Sequence, residues 1–415
     1  MTSDPYRARR VFVWTWLPGE SDPVVAGGVD RVEAGRLDFT YARSYLDNEN
    51  AMSLYAPELP LRRGAQEPID GLTIAACLKD ATPDSWGERV IGNRLGAGDQ
   101  ELSIETYMLE SGSNRFGAID FQESASEYVP RLDTASLDEL YDAAEKVLAG
   151  VPLNSAIGDA LMNGTAIGGA HPKVLISHDS GTEYIAKLSV STDVHPVIRA
   201  EAVGIELARR CGIDVPNARV IKSMGRDVLL IERFDRLSGG QRRHVVSGLT
   251  MLGLDALLGA RYGSYPEILD VLRERALVPQ EVGRKLFERI VFNVAIGNND
   301  DHARNHAAFW NGQSLELTPA FDLTPQVRST DTSAQAMAIG RDGGRASQFS
   351  ACVAAAADYG LSRPDAREIV DHVVSTVEAQ WLDAADAAEL SEVDRNALWR
   401  RSVLNRSTFY DWDRS

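Results

Sequence analysis

Between Val174 and Ile231 short apolar runs alternate with turn residues, which points to paired strands on either side of one helix. Val174-Leu175-Ile176-Ser177, turn residues at Asp179-Ser180-Gly181 and Tyr184-Ile185-Ala186-Lys187-Leu188 predict one β-hairpin. Ala218 to Ser223, a turn at Gly225-Arg226 and Val228-Leu229-Leu230-Ile231 predict a second. A helix is expected between them from Val197 to Cys211, closed by Gly212 at the position after its end. Beyond Phe234 the pattern turns helical. Ser362-Arg363-Pro364-Asp365 reads as a capped start to a helix carrying Ile369, Val370, Val373, Val374 and Val377. The expectation is an α+β chain in which a β-rich lobe passes to an α-rich lobe through Glu232-Arg233-Phe234.

The region before this is a mixture of short strands and helices. Val11 to Trp14 and Leu37 to Tyr41 are strand-like, with Pro18-Gly19 and Gly27-Gly28 as punctuation. A helical stretch is expected around Leu72 to Leu95, a strand over Phe116 to Phe121 and an amphipathic helix over Leu137 to Leu148. The polar run from Glu123 to Thr134 marks a boundary. With 415 residues, 44% of them hydrophobic, there is material for a core in each of about two or three domains. A formal charge of −17 argues against wide, non-specific contact with nucleic acid, which needs a cationic surface to displace counterions. Cys77, Cys211 and Cys352 are odd in number and far apart, so neither a disulfide framework nor a zinc ribbon is expected. The apolar stretch Val11 to Leu17 is too short for a signal core, and no run approaches the roughly 20 apolar residues of a membrane helix. A cytoplasmic protein is the expectation.

Four segments could carry chemistry. Gly168-Gly169-Ala170-His171-Pro172-Lys173 precedes a strand, where glycines let free N–H groups approach phosphate oxygens; a plain Gly-Gly turn is the alternative. Lys187 stands within a strand, either solvated at an edge or directed into a cleft to hold phosphates. Glu201 shares a helix face with Val197, Gly204, Ala208 and Cys211; a carboxylate buried there would need a cation such as Lys187, and a solvated Glu201 is the alternative. Asn299-Asp300-Asp301-His302-Ala303-Arg304-Asn305 is the densest polar cluster and follows an apolar helix that ends at Gly297. Asp300 and Asn305 have the Asp-x4-Asn spacing of kinase catalytic loops, in which the aspartate handles the attacking hydroxyl and the asparagine helps to hold Mg²⁺. A helix end capped by Asn and Asp is the competing reading. His302 and His306 have zinc-site spacing, but Ala303 stands where a zinc protease needs glutamate. Finally, Asp322 in Ala320-Phe321-Asp322-Leu323-Thr324 is similar to the second magnesium ligand of kinases, without the glycine that usually follows. Glycine turn, strand lysine, helix glutamate, hinge, Asp-x4-Asn loop and second aspartate occur in the order of a two-lobed kinase.

The sequence resembles the HipA family of serine/threonine kinases, toxins of bacterial toxin–antitoxin pairs. The N-terminal part of the resemblance lies in Leu59-Pro60-Leu61-Arg62-Arg63-Gly64, Ala81-Thr82-Pro83-Asp84-Ser85-Trp86-Gly87 and Arg115-Phe116-Gly117-Ala118-Ile119. The remainder lies in Gly168 to Lys173, Tyr184 to Leu188, Ile231-Glu232-Arg233-Phe234-Asp235-Arg236, Asp300 to Asn305 and Leu317-Thr318-Pro319-Ala320-Phe321-Asp322. The resemblance implies a two-lobed protein-kinase-like fold with an N-terminal β-rich subdomain and a mostly α-helical C-lobe. The corresponding division is a HipA-like N-terminal subdomain over 1–125, a helical connector over 126–160, a kinase N-lobe over 161–234 and a C-lobe over 235–415. It implies ATP along Gly168, Gly169, Ala170, His171, Pro172 and Lys173, phosphate contact from Lys187, and adenine at the hinge Glu232, Arg233 and Phe234. Asp300 would be the catalytic base, Asn305 and Asp322 the Mg²⁺ ligands, and His302 and Arg304 neighbours of the nucleotide. The implied partners are a HipB-like DNA-binding antitoxin, DNA reached mainly through it, and a protein substrate such as an aminoacyl-tRNA synthetase; no membrane contact is implied. Two departures stand out. Ala166 occupies the place of an autophosphorylated serine, with Thr165 beside it, and Asp301 replaces a small residue after the catalytic aspartate. An aminoglycoside-type phosphotransferase and a non-catalytic co-repressor are the alternatives.

Overall fold

The computed structural model describes residues 4–7, 9–32, 35–69, 71–98, 100–132, 135–153, 155–162, 171–177, 181–191, 193, 195–327 and 332–413. The fold is α+β. It forms two compact units, each assembled from separate stretches of chain. The first contains Met1–Ser191, Ile221–Val246 and Phe309–Gln313; the second contains Thr192–Val220, Ser247–Ala308 and Ser314–Ser415.

In the first unit, β1 (Val11–Thr15), β2 (Val24–Arg31), β3 (Leu37–Tyr41), β4 (Ala65–Gln66) and β5 (Ile119–Gln122) form an antiparallel sheet in the order β4-β3-β2-β1-β5. Gly27-Gly28, expected as punctuation, instead lies inside β2, opposite Tyr41 and Thr40. A Cβ on Gly27 would come within 2.2 Å of the Thr40 carbonyl oxygen, so glycine here allows close strand approach rather than a turn. Around this sheet lie α1 (Arg43–Leu46), α2 (Ala76–Lys79), α3 (Ser85–Leu95) and α4 (Ile104–Glu110). The helix expected over Leu72 to Leu95 is therefore two helices. Pro83 disfavours helical backbone at the residue before it, and the Asp84 carboxylate caps α3 by accepting from Trp86 N at 3.2 Å and Gly87 N at 3.4 Å. The strand expected from Phe116 begins only at Ile119, because Gly117 turns the chain at φ +80°.

The same unit contains α5 (Leu137–Leu148), α6 (Ser155–Met162), and the strands β6 (Lys173–Ser177), β7 (Glu183–Leu188), β8 (Ala218–Ser223) and β9 (Arg226–Glu232), in sheet order β6-β7-β9-β8. Both expected hairpins are present. Val174, Ala186, Leu188, Val228 and Leu230 alternate onto one sheet face and form a core with Trp86, Val90, Ile91, Leu140, Ala144 and Val147. Lys187 falls on the opposite face, in register with Lys173 on one side and Leu229 on the other.

The second unit is helical: α7 (Val197–Arg210), α8 (Gly248–Leu252), α9 (Ala256–Tyr262), α10 (Tyr265–Arg275), α11 (Pro279–Ile296), α12 (Phe349–Ala354), α13 (Arg363–Ala387) and α14 (Glu392–Leu398). Its central element is α11, whose Leu286, Phe287, Ile290, Val291 and Val294 are fully buried. Each such burial contributes about 1.5–3 kcal/mol, so the C-terminal end of α11 is a rigid base for the loop attached to it. Gly297, at φ +71°, closes the helix and sends the chain into the polar cluster. The capping box at the start of α13 is formed by Ser362 and Asp365. No helix among the described residues is long and apolar enough to cross a membrane.

Candidate active site

The polar cluster is built onto the end of α11 by hydrogen bonds within the second unit. Asp301 is buried, and its carboxylate accepts from Tyr265 Oη at 2.7 Å and Asn293 Nδ2 at 2.7 Å. It also lies 2.9 Å from His306 Nε2, and since a carboxylate only accepts, that nitrogen is the one carrying the proton. His306 in turn uses its carbonyl to accept from Gly248 N at 2.7 Å. A side chain at Gly248 would not fit, because its Cβ would lie 2.3 Å from the Ala303 carbonyl oxygen. Asp301, noted in the sequence as an extra charge beside Asp300, is thus the anchor of the loop.

This anchoring turns Asp300 the other way. Asp300 is exposed, and Asn305 Nδ2 donates to its carbonyl oxygen at 3.1 Å. That bond uses the Asn305 amide nitrogen and leaves Oδ1, the acceptor of the side chain, outside it. The Asp300 carboxyl is held above the usual aspartate range by partial desolvation and by the charges of Asp322 and Asp301, with His302 opposing. His302 and Arg304 are half-buried beside it. The histidine pair at 302 and 306 does not form a metal site, because Ala303–Asn305 is a 3-10 turn and His306 is engaged by Asp301. Among the described residues, no group of three or more His, Cys, Asp and Glu is gathered as a metal site.

Asp322 is half-buried and adopts left-handed backbone at φ +61°. For a non-glycine residue this costs about 1–2 kcal/mol and persists only where its surroundings hold it. Asn298 Nδ2 provides one restraint, donating to the Asp322 carbonyl at 3.1 Å and to Asn293 Oδ1 at 3.0 Å. Asn293 passes the connection to Asp301. Gly204 of α7 supplies another, since it packs so closely on Leu323 that a Cβ would overlap the carbonyl oxygen at 1.8 Å. Asp322, Asn298, Asn293, Asp301 and His306 are therefore one hydrogen-bonded frame. Glu201, on the same helix as Gly204, is buried.

In the first unit, Lys187 is half-buried in β7. Lys173 is buried, with its ammonium 3.6 Å from Asp84, and Trp86 Nε1 donates to its carbonyl at 3.1 Å. His171 and Pro172 precede it; Gly168, Gly169, Ala170, Thr165 and Ala166 lie outside the described residues. At the expected hinge, Glu232 and Phe234 are half-buried, and the Phe234 ring stands edge-on to Phe116 at 5.7 Å and Phe309 at 5.8 Å. The Arg233 side chain is fully buried against Asp235 at 2.7 Å and donates to the carbonyl of Arg115 at 2.7 Å. It is committed to the interior, and its backbone N–H donates to the Glu183 carbonyl at 3.0 Å.

Asp235 joins two motifs that the sequence shows as separate. Its carboxylate accepts from Gly117 N at 2.7 Å and pairs with Arg233 and Arg236. Burial raises its pKa, but the two guanidinium groups outweigh burial and hold it down to about 2. Arg115 is likewise buried on Asp120 at 2.6 Å, with burial bringing its own pKa down to about 10 against that carboxylate's pull. Nothing in the spacing of Asp235, Asp301, Asn293 or Asn298 distinguishes them from solvated polar residues. A polar residue amid apolar helix positions, as Asn293 is in α11, was the one available signal.

The architecture is thus α+β and of the protein-kinase-like type, with an Asp-x4-Asn loop mounted on a buried helix. A HipA-like C-terminal domain matches residues 165–381, just over half of the sequence, and the chain belongs to that family. The serine/threonine-protein kinase toxin HipA of Shewanella oneidensis is 25% identical over 200 residues, covering 42% of this chain and 46% of that protein. The Sinorhizobium fredii protein Y4mE is 24% identical over 345 residues, covering 77% of this chain and 80% of its own. Among solved structures, the Shewanella oneidensis toxin–antitoxin complex of HipA, HipB and operator DNA matches with a TM-score of 0.69 at 18% identity, covering 93% of this chain and 95% of that one.

Proposed function

We propose that this chain is an ATP- and Mg²⁺-dependent serine/threonine protein kinase acting as a HipA-like toxin. The observation that carries the reading is the hydrogen-bonded frame from Asp322 through Asn298 and Asn293 to Asp301, which mounts Asp322 and the Asp300–Asn305 loop on one rigid support. Phosphoryl transfer needs positioning and charge neutralisation more than covalent chemistry. Asp300, exposed and carrying a raised pKa, would accept the proton of the attacking serine or threonine hydroxyl. Asn305 Oδ1 and Asp322 are the hard oxygen donors that Mg²⁺ prefers, and the negative charges that add to desolvation in raising the Asp300 pKa are ones a cation there would offset. The ion would neutralise charge on the transferring phosphoryl group.

For the nucleotide, Gly168, Gly169, Ala170, His171 and Pro172 would run along the phosphates, with Lys173 fixing the strand end beneath them. Lys187 would hold phosphate. Glu232, Phe234 and the Arg233 backbone would frame the adenine, and His302 and Arg304 would flank it. The modules 1–125, 126–160, 161–234 and 235–415 would serve as N-terminal subdomain, connector, N-lobe and C-lobe. A HipB-like antitoxin is the proposed partner, DNA being reached through it, in a cytoplasmic setting; an aminoacyl-tRNA synthetase is a candidate substrate. The acidity of the chain supports indirect rather than broad direct contact with DNA.

The test is incubation of the purified protein with labelled ATP, Mg²⁺ and a cell lysate, beside Asp300→Asn. Label in a protein band with wild type only is expected. Transfer to a small molecule but to no protein would favour the aminoglycoside-type alternative. Absence of any transfer, with tight binding to an antitoxin–DNA complex, would replace the kinase by a co-repressor.

A further inference from the structure

The second unit contains a cavity of about 330 Å³ whose lining includes Arg261, Arg341 and Arg345, with Tyr262, Ser264 and Glu267. Three cations and one carboxylate line it, in a chain whose overall charge is −17. Arg341 already pairs outside the lining with Asp270 at 2.6 Å. Among the described residues, neither Arg261 nor Arg345 has a carboxylate partner. The Arg345 guanidinium is instead held by two backbone carbonyls, those of Ala336 and Arg261, the second at 2.9 Å. These bonds fix its plane while leaving the remaining N–H groups of the fork for a ligand.

The start of α10 also borders the cavity, but it offers no free donor. Tyr265 N donates to the Ala338 carbonyl, residue 266 is proline, and Glu267 N is capped by Ser264 Oγ. An anion here is therefore met by side chains, chiefly the guanidinium groups, and not by the helix start. With Glu267 also in the lining, Arg261 and Arg345 leave an excess of one positive charge, so the choice of anion turns on how many acceptor oxygens it offers. A phosphomonoester carries about −1.5 to −2 near pH 7 and has three acceptor oxygens against a carboxylate's two, which suits the fixed fork of Arg345 with the exposed Arg261 beside it.

The position of the cavity suggests what bears that phosphate. Its wall residue Ala338 lies two residues after Ala336, whose N–H donates at 3.1 Å to the carbonyl of Asn299, directly before Asp300. Ser333 Oγ also donates to Asn299 Oδ1 at 3.4 Å. On the other wall, Tyr265, between lining residues Ser264 and Pro266, donates its hydroxyl to Asp301. We propose that this arginine cavity is a recognition subsite for a phosphorylated side chain on the polypeptide whose hydroxyl is presented to Asp300. The reading rests on the proposed kinase function for the second half of that statement, but not for the first.

The test is fluorescence anisotropy with the full chain and a labelled peptide containing phosphoserine, against its unphosphorylated form, with inorganic phosphate as competitor. Saturable binding of the phosphoserine peptide only is expected, weakened at least about tenfold by Arg345→Gln and by Arg261→Glu. Arg261 is exposed, so its variant reports on the cavity even if Arg345→Gln alters the loop. Equal affinity for free phosphate and peptide would overturn the polypeptide assignment, and binding unmoved by either variant would overturn the site itself. The binding measurement is made without ATP and Mg²⁺, so it does not depend on transfer. Peptide binding without phosphoryl transfer would thus count against the kinase alone, and transfer without peptide discrimination against the cavity alone.

Discussion

Replacing Asp301 by alanine should loosen the loop that carries Asp300 and Asn305 by an amount the hydrogen bonds allow one to estimate. Asp301 is 2% exposed and accepts from three buried donors, Tyr265 Oη, Asn293 Nδ2 and His306 Nε2. A buried donor left without an acceptor costs about 1–3 kcal/mol, and removing one member of a buried charged contact costs roughly 3–5 kcal/mol after relaxation. Taking about 3 kcal/mol as the local loss, and about 1.4 kcal/mol per tenfold, the loop should open roughly 100-fold more often. Hydrogen–deuterium exchange reads this directly at the amides of Asn305 and Gly248, which donate to the carbonyls of His302 and His306. Amides in α3, in the other unit, serve as the control. Asp301→Asn, which keeps one acceptor oxygen but turns an amide toward a donor, should give an intermediate acceleration. Protection of Asn305 and Gly248 within about threefold of wild type in Asp301→Ala would refute the reasoning, since the loop would then be held by something other than this carboxylate.

The same frame sets two further outcomes. Gly204→Ala should lower the melting temperature even though alanine favours helix by about 1 kcal/mol, because the Cβ would overlap the Leu323 carbonyl; a higher melting temperature by calorimetry would exclude that packing. The Asp300 carboxyl should titrate above an ordinary aspartate in a ¹³C NMR experiment on metal-free protein, and Asp322→Asn should bring it down by removing a neighbouring negative charge. The sign carries over to function and stability in opposite senses. The basic form of Asp300 is lost as pH falls through the raised folded pKa, so transfer should decline on the acid side earlier than an unperturbed aspartate would impose. The same shift favours the neutral carboxyl in the folded state, so this group's stabilising contribution is present below its unfolded pKa and fades as pH rises through the folded one. No downward movement in Asp322→Asn would remove Asp322 as a cause.

The two hairpins, the α5 and α13 helices and the end of α11 at Gly297 were legible because local chemistry decides them. Short apolar runs bounded by turn residues, Ser caps and a positive-φ glycine act over a few residues, and tertiary contacts agreed with them. The exceptions were positions at which a distant group intervened. Gly27-Gly28 has the composition of a turn, yet β3 needs its missing side chains for close pairing. Leu72 to Leu95 has helical periodicity throughout, yet Pro83 and the Asp84 cap divide it.

At the candidate site the division is similar. The sequence alone determined which residues have the order and types for phosphoryl transfer: Lys187, Asp300, Asn305 and Asp322, spaced as a kinase requires. Spacing to Asn305 singled out Asp300, but the different surroundings of the two adjacent aspartates could not be distinguished from the sequence. Tertiary structure made that distinction by burying Asp301 among Tyr265, Asn293 and His306, from residues 5 to 36 positions away, and leaving Asp300 exposed. It also decided that Arg233 is an internal cation on Asp235 while Arg345, held only by carbonyls, retains donors for a ligand. Burial and the identity of a partner are properties of the folded chain, because both depend on which distant residues share one low-dielectric volume.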